Sequence, residues 1–262
     1  MQEFEVRAKA VRRRILTAIY NGKKGHIGGA LSCADILLYL YGCNVVEPHR
    51  ATSSASRWSP RPLILSKGHS ATALLAVLDE IGFTSDMLGS YNAEGSIVGN
   101  NPCERVPGIE FHTGSLGHGV GLACGVALAH RLQGSKEPVT VLISDGELME
   151  GSTWEALLFM VQQKLNVCVI VDQNRQICET HIQIGNIKDA LSNLGLSVCA
   201  TSGHEQYGLV VTAAAITQHQ LPRIVIADTV KGKGVSFMEG VVRWHHSIPT
   251  PEEYAAAMEE LK

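Results

Sequence analysis

The chain lacks the features that mark membrane-spanning, nucleic-acid-binding and disulfide-stabilised proteins. Its 262 residues contain no apolar stretch long enough to span a bilayer. The formal net charge of −3 provides no basic field for nucleic acid. No apolar segment follows the basic N-terminal cluster MQEFEVRAKAVRRR, so no secretory signal is predicted. We therefore expect a cytoplasmic protein.

The cysteines also lack the spacing of a disulfide framework or a zinc site. The seven cysteines are odd in number and scattered, they form no CxxC motif, and several lie inside apolar segments. This pattern predicts buried thiols in a reducing compartment. Hydrophobic residues make up 45% of the chain and charged residues 18%, which is typical of a globular protein with a substantial core.

The central stretch of the chain predicts a strand, a turn, a helix and a second strand. Val139–Ile143 and Val167–Val171 are short apolar runs rich in β-branched residues, typical of strands buried on both faces. Ser144-Asp145-Gly146 interrupts the first run, and Gly146 permits a close approach that a side chain would obstruct. Residues 153–164 have apolar side chains at helical spacing.

Asp145 and Asn174 follow these two predicted strands directly. The carboxyl ends of parallel strands lie at one edge of a sheet, where ligands bind. A carboxylate and an amide oxygen side by side suit magnesium or calcium carrying a phosphate. The alternative is purely structural, since an Asp-Gly after a strand is often only a turn and an Asx residue often caps a helix.

Strands and helices alternate along the rest of the chain. Further helices are predicted over 4–20, 33–41, 71–81, 120–132, 187–194, 209–219 and from Pro251, and further strands over 63–66, 196–200 and 222–228. Residues 44–61 and 83–109 are predicted to be irregular. The uniformly apolar strands indicate a single α/β domain over residues 1–262, with a mostly parallel sheet and helices on both faces.

Histidines occur in or beside four glycine-rich or basic turns. The first turn, 25–32, opens the helix 33–41, and the others cover 67–70, 111–119 and 229–234. Each turn has a structural explanation, because a sheet needs tight connections. One shared site explains the histidines better, and these are His26, His69, His118 and His245. Such a site would hold a diphosphate with backbone N–H groups, imidazoles and a lysine.

The segments that carry these residues resemble one family in order and spacing. GHIGGALS, LILSKGHSATALL, PGIEFHTGSLGHGVGLACGVALA, SDGELMEGSTWEALLF, KLNVCVIVDQN and DTVKGKGVSFMEG…WHH resemble the N-terminal, thiamine-diphosphate-binding half of transketolases, nearly end to end. The resemblance implies the thiamine diphosphate-binding fold of the PP type. It also implies transfer of a two-carbon ketol unit from a ketose (phosphate) to an aldose (phosphate).

The resemblance also implies roles for individual residues. The divalent metal, Mg²⁺ or else Ca²⁺ or Mn²⁺, would be held by the side chains of Asp145 and Asn174 and by the Gln176 carbonyl. The implied contacts with thiamine diphosphate are His69, Gly114, Leu116, Asp145, Gly146, Asn174, Lys231 and His245. The implied catalytic histidines are His26, His245 and His69. His118 stands where many relatives carry Gln, and Glu150 is expected to support the loop or a subunit contact.

In this family a glutamate that activates the aminopyrimidine and the arginines that hold the sugar phosphate lie in a following pyrimidine-binding domain. That domain and the C-terminal domain are absent from this chain. We therefore expect a separate C-terminal subunit, an α2β2 assembly with sites at the subunit junctions, and no activity without the partner. A fragment of a longer transketolase is the alternative.

Four departures from the family pattern bear on function. Ser144 replaces a glycine, Asn101 replaces a histidine, Cys178-Glu179 replaces a turn, and Ser202-Gly203-His204 replaces Asp-Gly-His. They leave two alternatives open. One is a degenerate, non-catalytic subunit that regulates a partner. The other is a thiamine diphosphate enzyme of different specificity, similar to 1-deoxyxylulose-phosphate synthase or to a dehydrogenase E1 subunit.

Overall fold

The computed structural model describes residues 2–49, 58–177, 180–181, 186–217 and 222–262. The helices are α1 (Gln2–Gly22), α2 (Ile27–Gly42), α3 (Ala71–Glu80), α4 (Gly119–Leu132), α5 (Gly151–Gln162), α6 (Ile187–Asn193), α7 (Gln206–Thr217) and α8 (Pro251–Glu260). The strands are β1 (Leu63–Leu65), β2 (Val139–Ser144), β3 (Val167–Gln173), β4 (Gln176–Ile177), β5 (Thr180–His181), β6 (Ser197–Ser202) and β7 (Arg223–Asp228). Short 3₁₀ turns cover Gly68–Ser70, Met87–Ser90, Asp145–Met149 and Val242–His245.

Five strands form one parallel sheet in the order β1-β2-β3-β7-β6. The register pairs Ser144 with Asp172 and Gln173 with Asp228, so neighbouring strands end at nearly the same level. The segments that follow β1, β2, β3 and β7 therefore meet at one edge of the sheet, as the sequence predicts. β4 and β5 form a separate antiparallel pair, which the sequence did not predict.

Alternate residues of the strands face two different layers of helices. Leu142 and Ile170 belong to the apolar cluster that contains residues of α1, α2, α3 and α7. Val141 and Val169 belong to the cluster that contains residues of α4, α5 and α6. Every residue of β2 is buried, because a strand covered on both faces leaves neither set of side chains in water. The predicted single α/β domain with a parallel sheet covered on both faces is confirmed.

The largest correction concerns α2, which begins at Ile27 rather than at residue 33. Gly28 and Gly29 are thus helical, not part of a turn. A Cβ at Gly28 would lie 2.8 Å from the Trp244 carbonyl oxygen and 2.9 Å from Cγ of Lys231. The glycines allow the first turn of α2 to pass close to the segment that carries Lys231 and His245, which periodicity alone does not reveal.

Smaller differences occur at element ends. Asp145-Gly146 opens a 3₁₀ turn rather than a simple tight turn, and α5 begins two residues earlier than the predicted start at Thr153. The end of the helix predicted to reach residue 219 and the Cys178-Glu179 turn lie outside the described residues. Of the described cysteines, Cys33, Cys103, Cys124 and Cys168 are buried, whereas Cys43 is exposed, and all are free thiols. None of the helices within the described ranges is long and apolar enough to cross a membrane.

Candidate cofactor and active site

A cavity of about 370 Å³ lies at the carboxyl edge of the sheet. Its lining residues come from the segments after β1, β2, β3 and β7, from the start of α2 and from the irregular stretches before α4. They are His26, Gly29, His69, Asn100, Asn101, Gly114, Leu116, Ser144, Asp145, Gly146, Asn174, Gln176, Lys231 and His245. All of the cofactor, metal and catalytic residues that the resemblance implied are in this set.

One half of the cavity carries oxygen ligands on two adjoining segments. Asp145, 1% exposed, accepts the N–H of Arg175 on Oδ2 at 2.5 Å and the N–H of Gly146 on Oδ1 at 2.9 Å. Oδ1 of Asn174 accepts the N–H of Gln176 at 3.3 Å. Arg175 has a φ of 61°, a left-handed conformation that is unusual for a residue other than glycine. The three predicted metal ligands are therefore tied together around one bend of the backbone.

A buried ion pair lies behind the oxygen ligands. The Lys67 ammonium contacts Oδ2 of Asp172 and donates to the Gly29 carbonyl at 3.0 Å, and the side chains of Lys67 and Asp172 are 0% exposed. Ser32 donates to the same carboxylate oxygen at 2.6 Å. The Asn174 amide nitrogen lies 3.5 Å from Asp172 Oδ2, which leaves its amide oxygen on the other side. The ion pair thus orients Asn174.

The electrostatics of this half favour a cation. Burial and the Asp172 carboxylate raise the pKa of Asp145 to about 6. Burial alone would raise the pKa of Asp172 also, but the Lys67 ammonium holds it below its ordinary value. Asp172 is therefore neutralised within the protein, whereas Asp145 faces the cavity without a cationic hydrogen-bond partner among the described residues. The side-chain oxygen Oε1 of Gln176 is buried without a protein partner there.

Glu147 ties the loops that surround the Asp145 turn. Its carboxylate accepts the N–H groups of Ser144 at 2.9 Å and Gly117 at 3.0 Å, and it contacts the hydroxyl of Ser66. Burial raises the pKa of Glu147. Ser144 has a φ of −90°, the negative value that a serine here requires, and its hydroxyl donates to Glu147 at 3.4 Å. Glu147, rather than the exposed Glu150, holds the loop.

The other half of the cavity is a cluster of imidazoles. The ring of His26 lies 5.2 Å from that of His69, 5.2 Å from that of His245 and 4.6 Å from that of His246. Nδ1 of His26 lies 3.2 Å from Oδ1 of Asn100. Nδ1 of His245 lies 2.8 Å from Nζ of Lys231, a lysine that is 2% exposed.

These imidazoles are neutral at physiological pH. Burial lowers the pKa of His26 to about 4. Burial and the Lys231 ammonium lower the pKa of His245 to about 4. Burial and the neighbouring Lys67 lower the pKa of His69 well below its ordinary value. Neutral imidazoles both donate and accept hydrogen bonds, so this half can bind hydroxyl groups and exchange protons with them.

The shared-site hypothesis holds for three of the four histidines. His26, His69 and His245 converge, but His118 is exposed at the start of α4 and does not line the cavity. Outside the cavity, the part of the chain that the structure describes has one other group of potential metal ligands, Cys103, Glu104 and His112. Two of these three are exposed.

Sequence reasoning missed the residues that support the site. Lys67, Ser32 and Asn100 were given no role, and Glu150 was emphasised where Glu147 makes the contacts. One signal was present for Lys67, since a lysine directly after a buried strand and before a glycine has little room to reach water. Nothing in the sequence indicated the contact between Asn100 and His26, which are 74 residues apart.

The donor set fits a divalent cation with a diphosphate. Asp145, Asn174 and the Gln176 carbonyl provide hard oxygen atoms, as Mg²⁺ and Ca²⁺ require. Lys231, His69 and the space above Gly146 lie across the same cavity. The Gly146 N–H is donated to Asp145, so Gly146 would contribute through its missing side chain rather than through its N–H.

Comparison with known proteins agrees with this geometry. Residues 5–261 match the family model described as transketolase, thiamine diphosphate binding domain. A subunit of the apulose-4-phosphate transketolase of Phocaeicola vulgatus is 36% identical over 100% of this chain and 94% of its own length. The 6-deoxy-6-sulfo-D-fructose transketolase subunit SqwG of Clostridium sp. is 32% identical over 99% of this chain and 96% of its own length.

A solved structure shows the same fold. Transketolase from Campylobacter jejuni superposes with a TM-score of 0.85 and 25% identity, covering 100% of this chain. The chain spans only 43% of that transketolase, whereas it spans nearly the full length of the two subunits named above.

Proposed function

Because the chain belongs to the family of transketolase thiamine diphosphate-binding domains, we propose that it is the cofactor-binding subunit of a two-subunit transketolase. In this proposal it transfers a two-carbon ketol unit from a ketose to an aldose together with a separate pyrimidine-domain subunit. The observation that carries the proposal is the single cavity that joins Asp145, Asn174 and Lys231 to three neutral imidazoles.

The cofactor half of the cavity would fix thiamine diphosphate and its metal. Asp145, Asn174 and the Gln176 carbonyl would hold the divalent cation, and Lys231 and His69 would meet the diphosphate. Gly114 and Leu116 line the wall where the aminopyrimidine would pack. When bound, the cofactor supplies the carbon nucleophile that breaks the bond beside the ketose carbonyl.

The imidazole half would handle the sugar. His26 and His245 would bind donor hydroxyl groups, take a proton as the carbon–carbon bond breaks, and return it to the acceptor. His69 adjoins both rings. Because the pKa values of His26 and His245 are lowered to about 4, these rings begin the reaction neutral and are able to accept protons.

The substrate is proposed to be a specialised ketose. The two relatives are named for apulose-4-phosphate and 6-deoxy-6-sulfo-D-fructose, and Asn101 lines the cavity where many transketolases carry histidine. An amide keeps hydrogen bonding but loses the titratable proton. The arginines that select the sugar's anionic group would come from the partner.

An assembly with a partner is supported by an exposed apolar surface. Met149, Leu158 and Phe159 are 65%, 46% and 42% exposed, on or directly before α5. In the neighbouring helix α4, a Cβ added at Gly121 or Gly125 would meet no atom of the described residues within 4 Å. Contiguous exposed apolar surface is typical of an interface. We propose an α2β2 complex with the active sites at its junctions.

The alternative of a degenerate regulatory subunit has less support. Its main basis was Ser144, but the serine is unstrained and its hydroxyl has a protein partner in Glu147. The ligand set is also intact.

The first test is calorimetric titration of thiamine diphosphate and Mg²⁺ into the chain, with and without the separately encoded pyrimidine-domain subunit. We expect binding to appear or tighten with the partner. The complex should then release an aldose two carbons shorter than the donor ketose. Apulose 4-phosphate, 6-deoxy-6-sulfo-D-fructose and a common ketose phosphate make the donor panel. Absence of cofactor binding in both states would establish the regulatory alternative.

A further inference from the structure

The two imidazoles that face the donor half of the cavity are each held at Nδ1 by a different kind of partner. We propose that Asn100 and Lys231 hold His26 and His245 in opposite neutral tautomers, so that the cavity presents one imidazole acceptor and one imidazole donor. Asn100 is then a positioning residue that acts through His26. The catalytic meaning of this arrangement rests on the proposed function, but the tautomers themselves do not.

Asn100 determines the proton position on His26. Its side-chain oxygen Oδ1 lies 3.2 Å from His26 Nδ1. A carbonyl oxygen only accepts hydrogen bonds, so Nδ1 must carry the proton. In a neutral ring the other nitrogen, Nε2, then has a free lone pair. With its pKa lowered to about 4, His26 is neutral near pH 7 and offers Nε2 as an acceptor.

Lys231 imposes the reverse arrangement on His245. Its Nζ lies 2.8 Å from His245 Nδ1. An ammonium group only donates, so Nδ1 must accept and the ring proton lies on Nε2. The Lys231 charge also contributes to lowering the pKa of His245 to about 4. His245 therefore offers an N–H donor where His26 offers a lone pair.

Opposite tautomers fit the two oxygen types of a ketose donor. His26 Nε2 can take the proton of a hydroxyl: the O–H bond breaks, an N–H bond forms, and the ring becomes an imidazolium whose Nδ1–H still donates to Asn100. His245 Nε2–H can donate to an oxygen that gains negative charge. Two identical tautomers would compete for the same kind of oxygen.

An amide is suited to this position because it orients the ring without a charge. A carboxylate at residue 100 would select the same tautomer, but it would raise the pKa of His26 by about 1–3 units. His26 would then be protonated at higher pH and lose its lone pair. Asn100 therefore separates two effects that aspartate would couple, and this separation provides the test.

The experiment is long-range ¹H–¹⁵N correlation spectroscopy on the full chain labelled at its histidine ring nitrogens, at pH 7.5 and without cofactor. Loss of signals in His26→Gln and His245→Gln assigns the two rings. We expect a protonated Nδ1 on His26 and a protonated Nε2 on His245. The same tautomer on both rings, or a protonated Nε2 on His26, overturns the proposal.

Variants separate orientation from general disturbance of the loop. Asn100→Ala should convert His26 to a mixture or to the Nε2–H tautomer and leave His245 unchanged. Asn100→Asp should restore the Nδ1–H tautomer and raise the His26 pKa by at least about one unit in an NMR titration. The matched control, Asn101→Ala, changes the next residue on the same wall and should leave the His26 tautomer as it is. An unchanged His26 signal in Asn100→Ala would contradict the proposal.

The same variants distinguish this inference from the proposed function. In the complex, Asn100→Ala should lower kcat about 10–100-fold with a smaller change in KM. Asn100→Asp should move the acidic limb of the kcat profile to higher pH. Opposite tautomers in a complex that transfers no ketol unit would refute the function and support the inference. Transfer activity with identical tautomers would do the reverse.

Discussion

Asp145 is a buried carboxylate whose two oxygens accept backbone N–H groups, yet its pKa is raised to about 6. Backbone N–H groups alone do not compensate for its burial beside Asp172. A divalent cation would supply the missing positive charge and bring the carboxylate fully into its ionised form. The residue is therefore better suited to a metal complex than to the metal-free protein.

Replacing Asp145 with asparagine keeps the size of the side chain but removes its charge. We expect the affinity of the complex for thiamine diphosphate with Mg²⁺ to fall at least about tenfold in calorimetric titration, because a metal ligand is weakened. Glu155→Gln removes an exposed charge on α5 and serves as the control. Unchanged affinity in Asp145→Asn would show that the metal lies elsewhere.

Asn101 tests specificity at the same scale. Asn101→His restores the side chain that many relatives carry, and we expect it to shift kcat/KM toward a common ketose phosphate by about tenfold relative to a specialised donor. Competition between paired donors measures the shift. Asn193→His, on the exposed face of α6, should not alter the ratio. Equal donor ratios in all three proteins would remove Asn101 from the determinants of specificity.

The sequence predicted residues of this kind where chemistry demands one side chain. Asp145 and Asn174 follow buried strands, and a carboxylate and an amide at such ends are few in number and chemically distinctive. Lys67 and Asn100 could not be predicted in the same way, because their roles depend on partners far away in the chain. Lys67 meets Asp172 105 residues later, and no local pattern encodes that pairing.

At the scale of elements, α2 shows how close packing replaced a predicted turn. The sequence GHIGG is typical of a loop, but Gly28 and Gly29 are helical because α2 passes against the Trp244 carbonyl and Lys231. Helix propensity alone would disfavour glycine there by about 1 kcal/mol each. The contact outweighs that cost, since it brings Lys231 and His245 to the cavity.

Gly28→Ala should therefore destabilise the chain even though alanine is the better helix former. A Cβ 2.8 Å from the Trp244 oxygen must displace backbone, and we expect the free energy of unfolding to fall by about 1–3 kcal/mol in urea titration. Gly121→Ala is the matched control, because no atom of the described residues lies within 4 Å of its added Cβ. It should stabilise α4 by about 0.5–1 kcal/mol. Stabilisation by both changes would show that α2 is not closely packed at Gly28.

The imidazole cluster joins three elements and links their packing to pH. Folding lowers the pKa of His26 and of His245 from 6.5 to about 4. The unfolded chain therefore binds protons first as the pH falls, so the stability that depends on these rings is complete above pH 6.5 and is lost toward pH 4. Both rings are partly exposed, and we expect about 1–2 kcal/mol from each.

Urea titrations of the cofactor-free chain between pH 4 and 8 measure this loss. The double variant His26→Gln, His245→Gln should show a flatter decline below pH 6.5 than the unchanged chain. Above pH 7 the two curves should run parallel. An equally steep decline in the double variant would assign the pH dependence to other groups.

At the scale of the whole molecule, fold class was the most predictable feature. Apolar strands alternating with helices leave few arrangements other than a covered parallel sheet, and the site then follows at the carboxyl edge. Element boundaries were less predictable, as in α5 and β6, because end residues are fixed by contacts such as those of Glu147. Assembly is the least local property. An exposed apolar helix face indicates a partner without naming it.

The face of α5 provides the corresponding prediction. Leu158 and Phe159 are 46% and 42% exposed, which costs free energy unless a partner covers them. Phe159→Glu should place a charge in that interface and weaken assembly with the pyrimidine-domain subunit at least about tenfold. Light scattering of the mixed subunits, which should otherwise give the mass of four chains, measures the loss.

The matched control is Val6→Glu, which changes a side chain that is 60% exposed on α1. Exposure alone does not make an interface, since single apolar side chains on a surface are ordinary. Val6→Glu should leave the mass of the complex unchanged, and both variants should unfold at the same urea concentration as the unchanged chain. If Phe159→Glu assembled as well as Val6→Glu, α5 would lie on the outside of the complex. The partner would then have to complete the cavity from the side of Asn101 and Gly114.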